Sequence, residues 1–307
     1  MTEEPKLFES IKERILELKK ELNALIVAHN YQRPEVQDIA DITGDSLELA
    51  RECTEVDCDT IVFCGVRFMA ESVAILNPDR TVLLSEESAG CPLADMIDIE
   101  DLREWKQRYP KATVVCYVNS SAAVKAESDF CCTSANAIKL IESIPDGEVL
   151  FVPDQYLGHY TSTKTDRRLI LYPGYCPVHR RLKAEHIIRA KELYPDAAVI
   201  VHPECVPEVI ALADAALSTS QMLRYAKQSP AKTFLIGTEI GLLHRMQKEN
   251  PEKDFHPLSM GLICPDMKKT RLESVVKVMA ERRNVVTVPE EVRVKAKLAL
   301  DRMLAVA

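Results

Sequence analysis

No apolar run in this 307-residue sequence approaches the ~20 residues that a transmembrane helix needs. Residues 5–22 alternate acidic and basic side chains on an amphipathic period and lack the apolar core of a signal peptide. No Pro/Gly-rich or low-complexity stretch divides the chain. We therefore expect a soluble, cytoplasmic protein without a membrane partner, whose structural units follow one another without long linkers.

Short Cys-x-x-Cys pairs are also absent, although the chain contains ten cysteines. In a reducing cytoplasm these are expected to remain thiols, which disfavours a disulfide framework and favours metal binding or simple burial. The net charge of −8 argues against a nucleic-acid partner. Any anionic ligand must then be held by local donors and not by the overall charge.

What the chain does contain is a threefold repeat. A polar triplet follows a β-branched run, a hydroxyl residue stands 17 positions after the triplet begins (46 − 29, 134 − 117 and 219 − 202), and a Cys-Pro pair closes each unit. The triplets are 29–31, 117–119 and 202–204, the hydroxyl residues are Ser46, Ser134 and Thr219, and the pairs begin at Cys91, Cys176 and Cys264. Three residue types kept in phase predict an internal triplication that brings one thiol per repeat to a shared centre.

Strands alternate with helices in each repeat, as in parallel sheets covered on both faces. We predict an α/β fold of three α/β/α sandwich domains with parallel sheets, related by a pseudo-threefold axis, over 1–90, 91–176 and 177–307. Helices are predicted at 34–41, 122–130, 134–141 and 207–217; after residue 271 come two C-terminal helices and a short strand at 285–288. Ligands bind beyond the carboxyl ends of such strands, so the active centre is expected on the threefold axis.

The three phased cysteines predict metal ligation. The other seven, 53, 58, 64, 116, 131, 132 and 205, are interpreted as buried apolar residues. Three isolated thiolates suit a [4Fe–4S] cluster with one free iron, which can act as a Lewis acid in the elimination of water. Zinc bound by the three cysteines and His179 remains the alternative.

The hydroxyl residues and the triplets supply further candidates. Ser46, Ser134 and Thr219 are each expected to begin a helix, either as simple N-caps or as part of an anion site. The triplets contribute the acid–base candidates, which are His29, Tyr31, Tyr117, His202 and Glu204. Glu204 is the preferred general base, because it is the only carboxylate of the set and lies on the same side of an extended segment as His202.

Eight motifs resemble those of the quinolinate synthase family in order and spacing, over residues 25–269. They are 28–31, 44–46, 90–92, 117–119, 132–137, 174–179, 201–205 and 264–269. The resemblance implies an enzyme of NAD biosynthesis that condenses iminoaspartate with dihydroxyacetone phosphate to quinolinate, phosphate and water. It also implies one [4Fe–4S] cluster per chain and a functional link to the enzyme that makes iminoaspartate.

Carried over residue by residue, the resemblance implies that Cys91, Cys176 and Cys264 bind the cluster. The implied substrate-binding set is His29, Ser46, Tyr117, Asn119, Ser134, His202, Glu204 and Thr219, with Tyr31 as a further catalytic residue. Leu217 replaces a usual glycine, which puts the geometry around Thr219 in question, and Asp266 replaces a usual asparagine. Met267 and Thr270 stand where some members have the cysteines of a disulfide switch, so we expect no such switch.

Two other classes of protein could use parts of the same pattern. A zinc hydrolase or aldolase-type enzyme could use the triplets, and an iron–sulfur electron-transfer module could use the thiolates. The first would be colourless when purified. The second needs no substrate pocket, whereas histidines, tyrosines and hydroxyl residues repeated around the cysteines imply one.

Overall fold

A computed structural model describes the backbone of residues 3–306 and the side chains of residues 9–306. Within it lie three four-stranded sheets in which every pairing between named strands is parallel, as predicted. The strands in chain order are β1 Ala24–His29, β2 Ile42–Gly44, β3 Thr60–Cys64, β4 Thr81–Leu84, β5 Thr113–Tyr117, β6 Phe130–Cys132, β7 Val149–Val152, β8 Leu169–Leu171, β9 Ala198–Val201, β10 Ala215–Ala216, β11 Thr233–Gly237 and β12 Asp254–Pro257. The sheet orders are β2-β1-β3-β4, β6-β5-β7-β8 and β10-β9-β11-β12, the same order three times.

Fifteen α-helices connect and cover the sheets over the described residues. They are α1 Glu3–Glu21, α2 Pro34–Ile39, α3 Ser46–Glu55, α4 Arg67–Leu76, α5 Ile99–Arg108, α6 Ala122–Ala126, α7 Ala137–Ser143, α8 Gln155–Ser162, α9 Pro177–Arg180, α10 Ala184–Leu193, α11 Pro207–Ile210, α12 Thr219–Gln228, α13 Leu242–Glu249, α14 Leu272–Glu281 and α15 Glu290–Ala305. A 3₁₀ turn covers Ala94–Met96. None of the described helices is both long and apolar enough to span a bilayer.

The register of the strands repeats in all three sheets. The first two strands of each sheet pair residues 15 positions apart (42 − 27, 130 − 115 and 215 − 200). The first and third strands pair residues 36 positions apart (60 − 24, 149 − 113 and 234 − 198). Equal offsets in three sheets mean that the strand ends, and the residues that follow them, occupy equivalent places.

An aspartate fixes this register in every repeat. Asp41, Asp129 and Asp214 each accept a backbone N–H of the neighbouring central strand through one carboxylate oxygen, at 2.7–2.8 Å. Their own N–H groups donate back to the same strand residue at 2.8–3.0 Å. These paired bonds lock the two strands together just before the short second strand begins.

Several predicted helices are shorter than expected, because short strands interrupt them. Residues 122–130 and 207–217 were predicted as single helices, but α6 ends at Ala126 and α11 at Ile210, and β6 and β10 follow. Strands of two or three residues are too short to show the alternation by which strands are recognised. The predicted strand at 285–288 is reduced to one antiparallel bridge between Val285 and Leu83.

Both C-terminal helices are present and pack on the first two repeats. Helix α14 lies against α1 and the first sheet. Helix α15 buries Ala296, Leu300 and Met303 in a core shared by the first and second sheets. The boundaries between the predicted domains stay a prediction, and the outermost limits at residues 1 and 307 lie outside the described residues.

Candidate active site

The carboxyl ends of strands from all three sheets meet at one cavity. The triplets lie at the ends of β1, β5 and β9, the hydroxyl residues follow β2, β6 and β10, and the cysteines close the loops after β4, β8 and β12. All twelve residues singled out from the sequence line this cavity: His29, Tyr31, Ser46, Cys91, Tyr117, Asn119, Ser134, Cys176, His202, Glu204, Thr219 and Cys264. Their individual roles stay predictions.

The Cys-Pro pair has a local structural explanation. Cys176 is the N-cap of α9, and Pro177 occupies its first position, where the missing N–H is no loss. Backbone N–H groups further into the turn are then free to point back at the sulfur. In all three repeats nearby backbone N–H groups favour the thiolate and oppose the rise in its pKa: those of residues 93 and 94 at Cys91, of residue 179 at Cys176, and of residues 266 and 267 at Cys264.

These three sulfurs form a donor set that suits a metal centre. Cys91, Cys176 and Cys264 are partly exposed, whereas the other seven cysteines are buried, as predicted. Burial raises the pKa of all three thiols, that of Cys91 to about 12. Since metal binding displaces the thiol proton, the N–H groups at each sulfur are placed to stabilise the resulting thiolate.

His179, the fourth ligand of the zinc alternative, is committed to protein partners. Its Nδ1 lies 2.6 Å from Glu204 Oε2 and 3.2 Å from Cys176 Sγ, and its Nε2 lies 2.9 Å from Thr238 Oγ1. Cys176, His179 and Glu204 are close enough together to resemble a metal site, with ligand atoms within 4.8 Å of one another. The contacts of His179 Nδ1 with Glu204 and with Cys176 account for that closeness, and an ion shared by the three residues would have to separate His179 from Glu204.

His29 and His202 occupy equivalent positions and make the same hydrogen bond. The backbone N–H of Tyr31 donates to His29 Nδ1 at 3.1 Å, and that of Glu204 donates to His202 Nδ1 at 3.3 Å. A nitrogen that accepts a hydrogen bond carries no proton, so we assign the proton of each neutral ring to Nε2. Burial lowers the pKa of both rings to about 3, and each therefore offers one N–H donor at neutral pH.

A continuous chain of hydrogen bonds crosses the site between repeats. The Tyr31 hydroxyl lies 2.5 Å from Thr238 Oγ1, which lies 2.9 Å from His179 Nε2. The His179 Nδ1–H donates to Glu204 at 2.6 Å. A hydroxyl, an imidazole and a carboxylate in this order are the arrangement by which a weak acid is activated in nucleophilic and acid–base catalysis.

Glu204 is the buried carboxylate at the end of that chain. Burial opposes its ionisation, but the neighbouring His202 and His179 outweigh burial and lower its pKa to about 2; His179 Nδ1 is 2.6 Å away. Burial and the charge of Glu204 raise the pKa of Tyr31 and of Tyr117 well above 10. The ionised Glu204 therefore lies in the same site as two protonated phenols.

The three hydroxyl residues are not helix caps, so that reading of them is wrong. Asp45 caps α3 one residue before Ser46, and Ser218 caps α12 one residue before Thr219. Helix α7 begins at Ala137, three positions after Ser134. Asp45 already accepts the N–H groups of residues 47 and 48, so the start of α3 is no open anion site. All three residues line the cavity, and the Thr219 hydroxyl accepts a hydrogen bond from Asn30 at 2.9 Å.

Sequence comparison places the chain in a family. The profile of the quinolinate synthetase A protein family matches residues 13–305, nearly the whole chain. The chain belongs to this family. A quinolinate synthase of Thermodesulfovibrio yellowstonii is 55% identical over 95% of this chain and 97% of its own. Quinolinate synthases of Dehalococcoides mccartyi and Methanosarcina barkeri are 56% and 55% identical over 97% and 96% of this chain, and over 99% and 97% of their own chains.

The two departures from the quinolinate synthase motifs have clear places in the structure. Leu217 packs against the core of the third sheet and does not line the cavity, so its side chain leaves the site open. Asp266 Oδ1 accepts the backbone N–H of Gly90 at 3.3 Å and pairs with Lys269 at 2.7 Å. It thereby ties the cysteine loop of the third repeat to that of the first.

Thr238 and Glu239 were not predicted from the sequence, yet Thr238 links the hydrogen-bond chain and Glu239 lines the cavity. Both follow β11, the third strand of its repeat. Gly65 and Pro153 are the counterparts of Thr238, each 36 positions after the start of its triplet (65 − 29, 153 − 117 and 238 − 202). The strand ends would have indicated the position, although three unlike residues give no repeat signal.

Proposed function

We propose that this chain is a cytoplasmic quinolinate synthase of NAD biosynthesis, which condenses iminoaspartate with dihydroxyacetone phosphate to give quinolinate, phosphate and water. Its cofactor is one [4Fe–4S] cluster bound by Cys91, Cys176 and Cys264. The observation that carries the proposal is the meeting of these three cysteines, one from each repeat, at the cavity lined by the polar residues of the triplets. The enzyme that makes iminoaspartate is the expected functional partner.

The cluster, when bound, supplies an iron without a protein ligand, which acts as a Lewis acid on a leaving oxygen or a nitrogen. The residues around the cavity supply donors for anions. His29 and His202 each offer an N–H, and Ser46, Ser134 and Thr219 offer hydroxyl groups. This donor set suits the carboxylates and phosphate of the two substrates despite the acidic chain.

For proton transfer we propose Tyr31 as the group that meets the substrate. A proton taken up by the Tyr31 oxygen passes, as the hydroxyl protons shift, through Thr238 Oγ1 to His179 Nε2. Glu204 then stabilises the imidazolium through Nδ1–H, 2.6 Å away. Glu204 thus acts by orienting and balancing His179, a different role from the general base expected from its position in the triplet. Tyr117, which lines the same cavity, is a second phenol able to donate to the substrate.

The two alternative functions fit the site less well. An electron-transfer module has no use for a cavity lined by three histidines, two tyrosines and four serine or threonine residues. A zinc site that takes His179 as its fourth protein ligand would have to break the contacts that both nitrogens of His179 make with the protein.

An anaerobic assay tests the proposal. Purified and reconstituted protein should form quinolinate from iminoaspartate and dihydroxyacetone phosphate, and Cys176→Ser should lose both product formation and bound iron. Cys58→Ser is the matched control, because Cys58 is buried and does not line the cavity, and it should retain both. A parent protein that carries zinc, or that binds a cluster and forms no quinolinate, would overturn the proposal.

A further inference from the structure

Buried carboxylates hold two of the three cysteine loops by their backbone. Asp154 Oδ2 accepts the N–H of Cys176 at 3.2 Å, and Glu239 Oε1 accepts the N–H of Cys264 at 3.1 Å. Both carboxylates belong to residues with 0% exposed surface. Among the described residues, neither cysteine N–H has a second acceptor. These bonds therefore set the orientation of the peptides from which the two sulfurs project.

The two carboxylates are equivalent within the repeat. Each stands 37 positions after the start of its triplet (154 − 117 and 239 − 202) and just past the third strand of its sheet. The first repeat has Val66 at this place (66 − 29), and its loop is held instead by the bond from Gly90 N–H to Asp266. Every cysteine loop thus has a carboxylate acceptor, but only two draw it from their own repeat.

Asp154 and Glu239 use both of their oxygens, which makes the carboxylate hard to replace. The second oxygen of Asp154 caps helix α8 by accepting two backbone N–H groups at 2.8 and 2.9 Å. The second oxygen of Glu239 accepts Gly241 N–H at 2.7 Å and lies 3.0 Å from Lys268 Nζ. An amide at either position would place an NH₂ group against an N–H donor in a buried site, which leaves that donor unsatisfied.

We propose that Asp154 and Glu239 are positioning residues that fix Cys176 and Cys264 in the orientation needed to bind the metal centre. The consequence for metal binding rests on the proposed function, whereas the hydrogen bonds can be tested without it. A ligand that is already oriented loses less conformational freedom when it binds. Removal of either carboxylate should loosen its own cysteine and leave the other in place.

Amide hydrogen exchange of the metal-free protein reads these bonds directly. In Asp154→Asn the Cys176 N–H should exchange at least about 10-fold faster, while that of Cys264 keeps the parent rate. Glu239→Gln should show the reverse. In the reconstituted proteins each variant should also lose iron to a chelator several times faster than the parent.

Two matched controls separate positioning from general destabilisation. Asp98→Asn makes the same chemical change at the exposed N-cap of α5, which holds no cysteine, and should leave exchange and iron release unchanged. Asp266→Asn should also be tolerated, because one oxygen of Asp266 receives both Gly90 and Lys269, and an amide oxygen can still accept from Gly90. If Asp154→Asn fails to fold because the helix cap is lost, Glu239→Gln decides the question, since Glu239 caps no helix.

The outcomes are distinct. Parent-like iron release in both variants would overturn the proposal, even if amide exchange became faster. Faster exchange at both cysteines and throughout the sheets, in either variant, would indicate general destabilisation and would also overturn it. A parent protein that binds no iron would contradict the proposed function, while the exchange rates would still report whether the two carboxylates hold the two loops.

Discussion

Thr238→Val is the sharpest single test of the proposed proton path. Valine matches threonine in shape but has no hydroxyl, so it breaks both the 2.5 Å contact with Tyr31 and the 2.9 Å contact with His179. Tyr31 and His179 would keep their places and lose only the atom that joins them. We therefore expect the substitution to affect proton transfer much more than substrate or cluster binding.

The magnitude follows from the chemistry of the step. A positioned acid or base contributes typically 10²–10⁴-fold to a rate, so kcat should fall by about that factor. Each buried polar partner left unsatisfied costs about 1–3 kcal/mol of folding stability. The cavity beside Thr238 keeps this cost at the low end, because water can reach the two partners. Iron content and the apparent KM for dihydroxyacetone phosphate should stay close to the parent values.

The assay is anaerobic turnover with matched variants. Thr238→Ser restores the hydroxyl and should recover most of the turnover. Thr161→Val removes another buried hydroxyl, which bonds only within helix α8, and should cost stability without a loss of kcat. If Thr238→Val kept more than half of the parent turnover, the path through Thr238 would be wrong, and Tyr31 would have to exchange its proton with solvent in the cavity.

Three further predictions concern binding, pH and stability. Arg245 donates a hydrogen bond to Asn30 at 2.9 Å, and Asn30 donates one to Thr219 at 2.9 Å. Because Arg245→Met removes the support of Thr219, it should raise the substrate KM several-fold and leave the iron content unchanged. An unaltered KM would mean that Thr219 needs no such support. In the folded protein His29 and His202 stay neutral down to about pH 3, whereas in the unfolded chain they take up protons below about pH 6.5. The free energy of unfolding should therefore fall as the pH drops through this window, by up to about 1.4 kcal/mol per pH unit for each ring. Denaturant titrations from pH 7 to 4 should show a shallower fall in a His29→Gln, His202→Gln double variant, and equal slopes would contradict the assignment. Asp214→Ala leaves a strand N–H without its acceptor and should lower the free energy of unfolding, measured with urea, by about 1–3 kcal/mol. A decrease below ~0.5 kcal/mol would show that the paired bonds do not fix the strand.

The sequence predicts the site better than it predicts the secondary structure around it. Ser46, Ser134 and Thr219 are found from their common offset because a repeated unit places equivalent residues at equivalent strand ends. The same sequence gives no sign of β10, which is two residues long and depends on Asp214 and its pairing with β9. Interactions between distant segments, not local propensity, determine such a strand.

Helix starts show a second limit of local patterns. Asp45 and Ser46 are adjacent, and both residue types favour the N-cap position. The structure gives the cap to Asp45, whose partner Glu48 completes a capping box. That one-residue difference decides whether the Ser46 hydroxyl caps the helix or remains available at the cavity. Residue propensity alone cannot distinguish Asp45 from Ser46 as the cap.

The distribution of repeated and unrepeated residues matches the symmetry of what each must bind. Cysteine occurs at the same place in all three repeats, and a cluster that offers three equivalent iron corners can use three equivalent ligands. The substrates have no such symmetry, and the next positions in the repeat differ accordingly: Gly65, Pro153 and Thr238 share one place, and Val66, Asp154 and Glu239 share another. In the proposed function, the repeated positions of the triplicated fold provide the metal site, and the positions that differ between repeats provide the acid–base chemistry. The chemically specific residues of this fold are therefore to be sought where the three repeats differ at equivalent strand ends, which is where Thr238 and Glu239 lie.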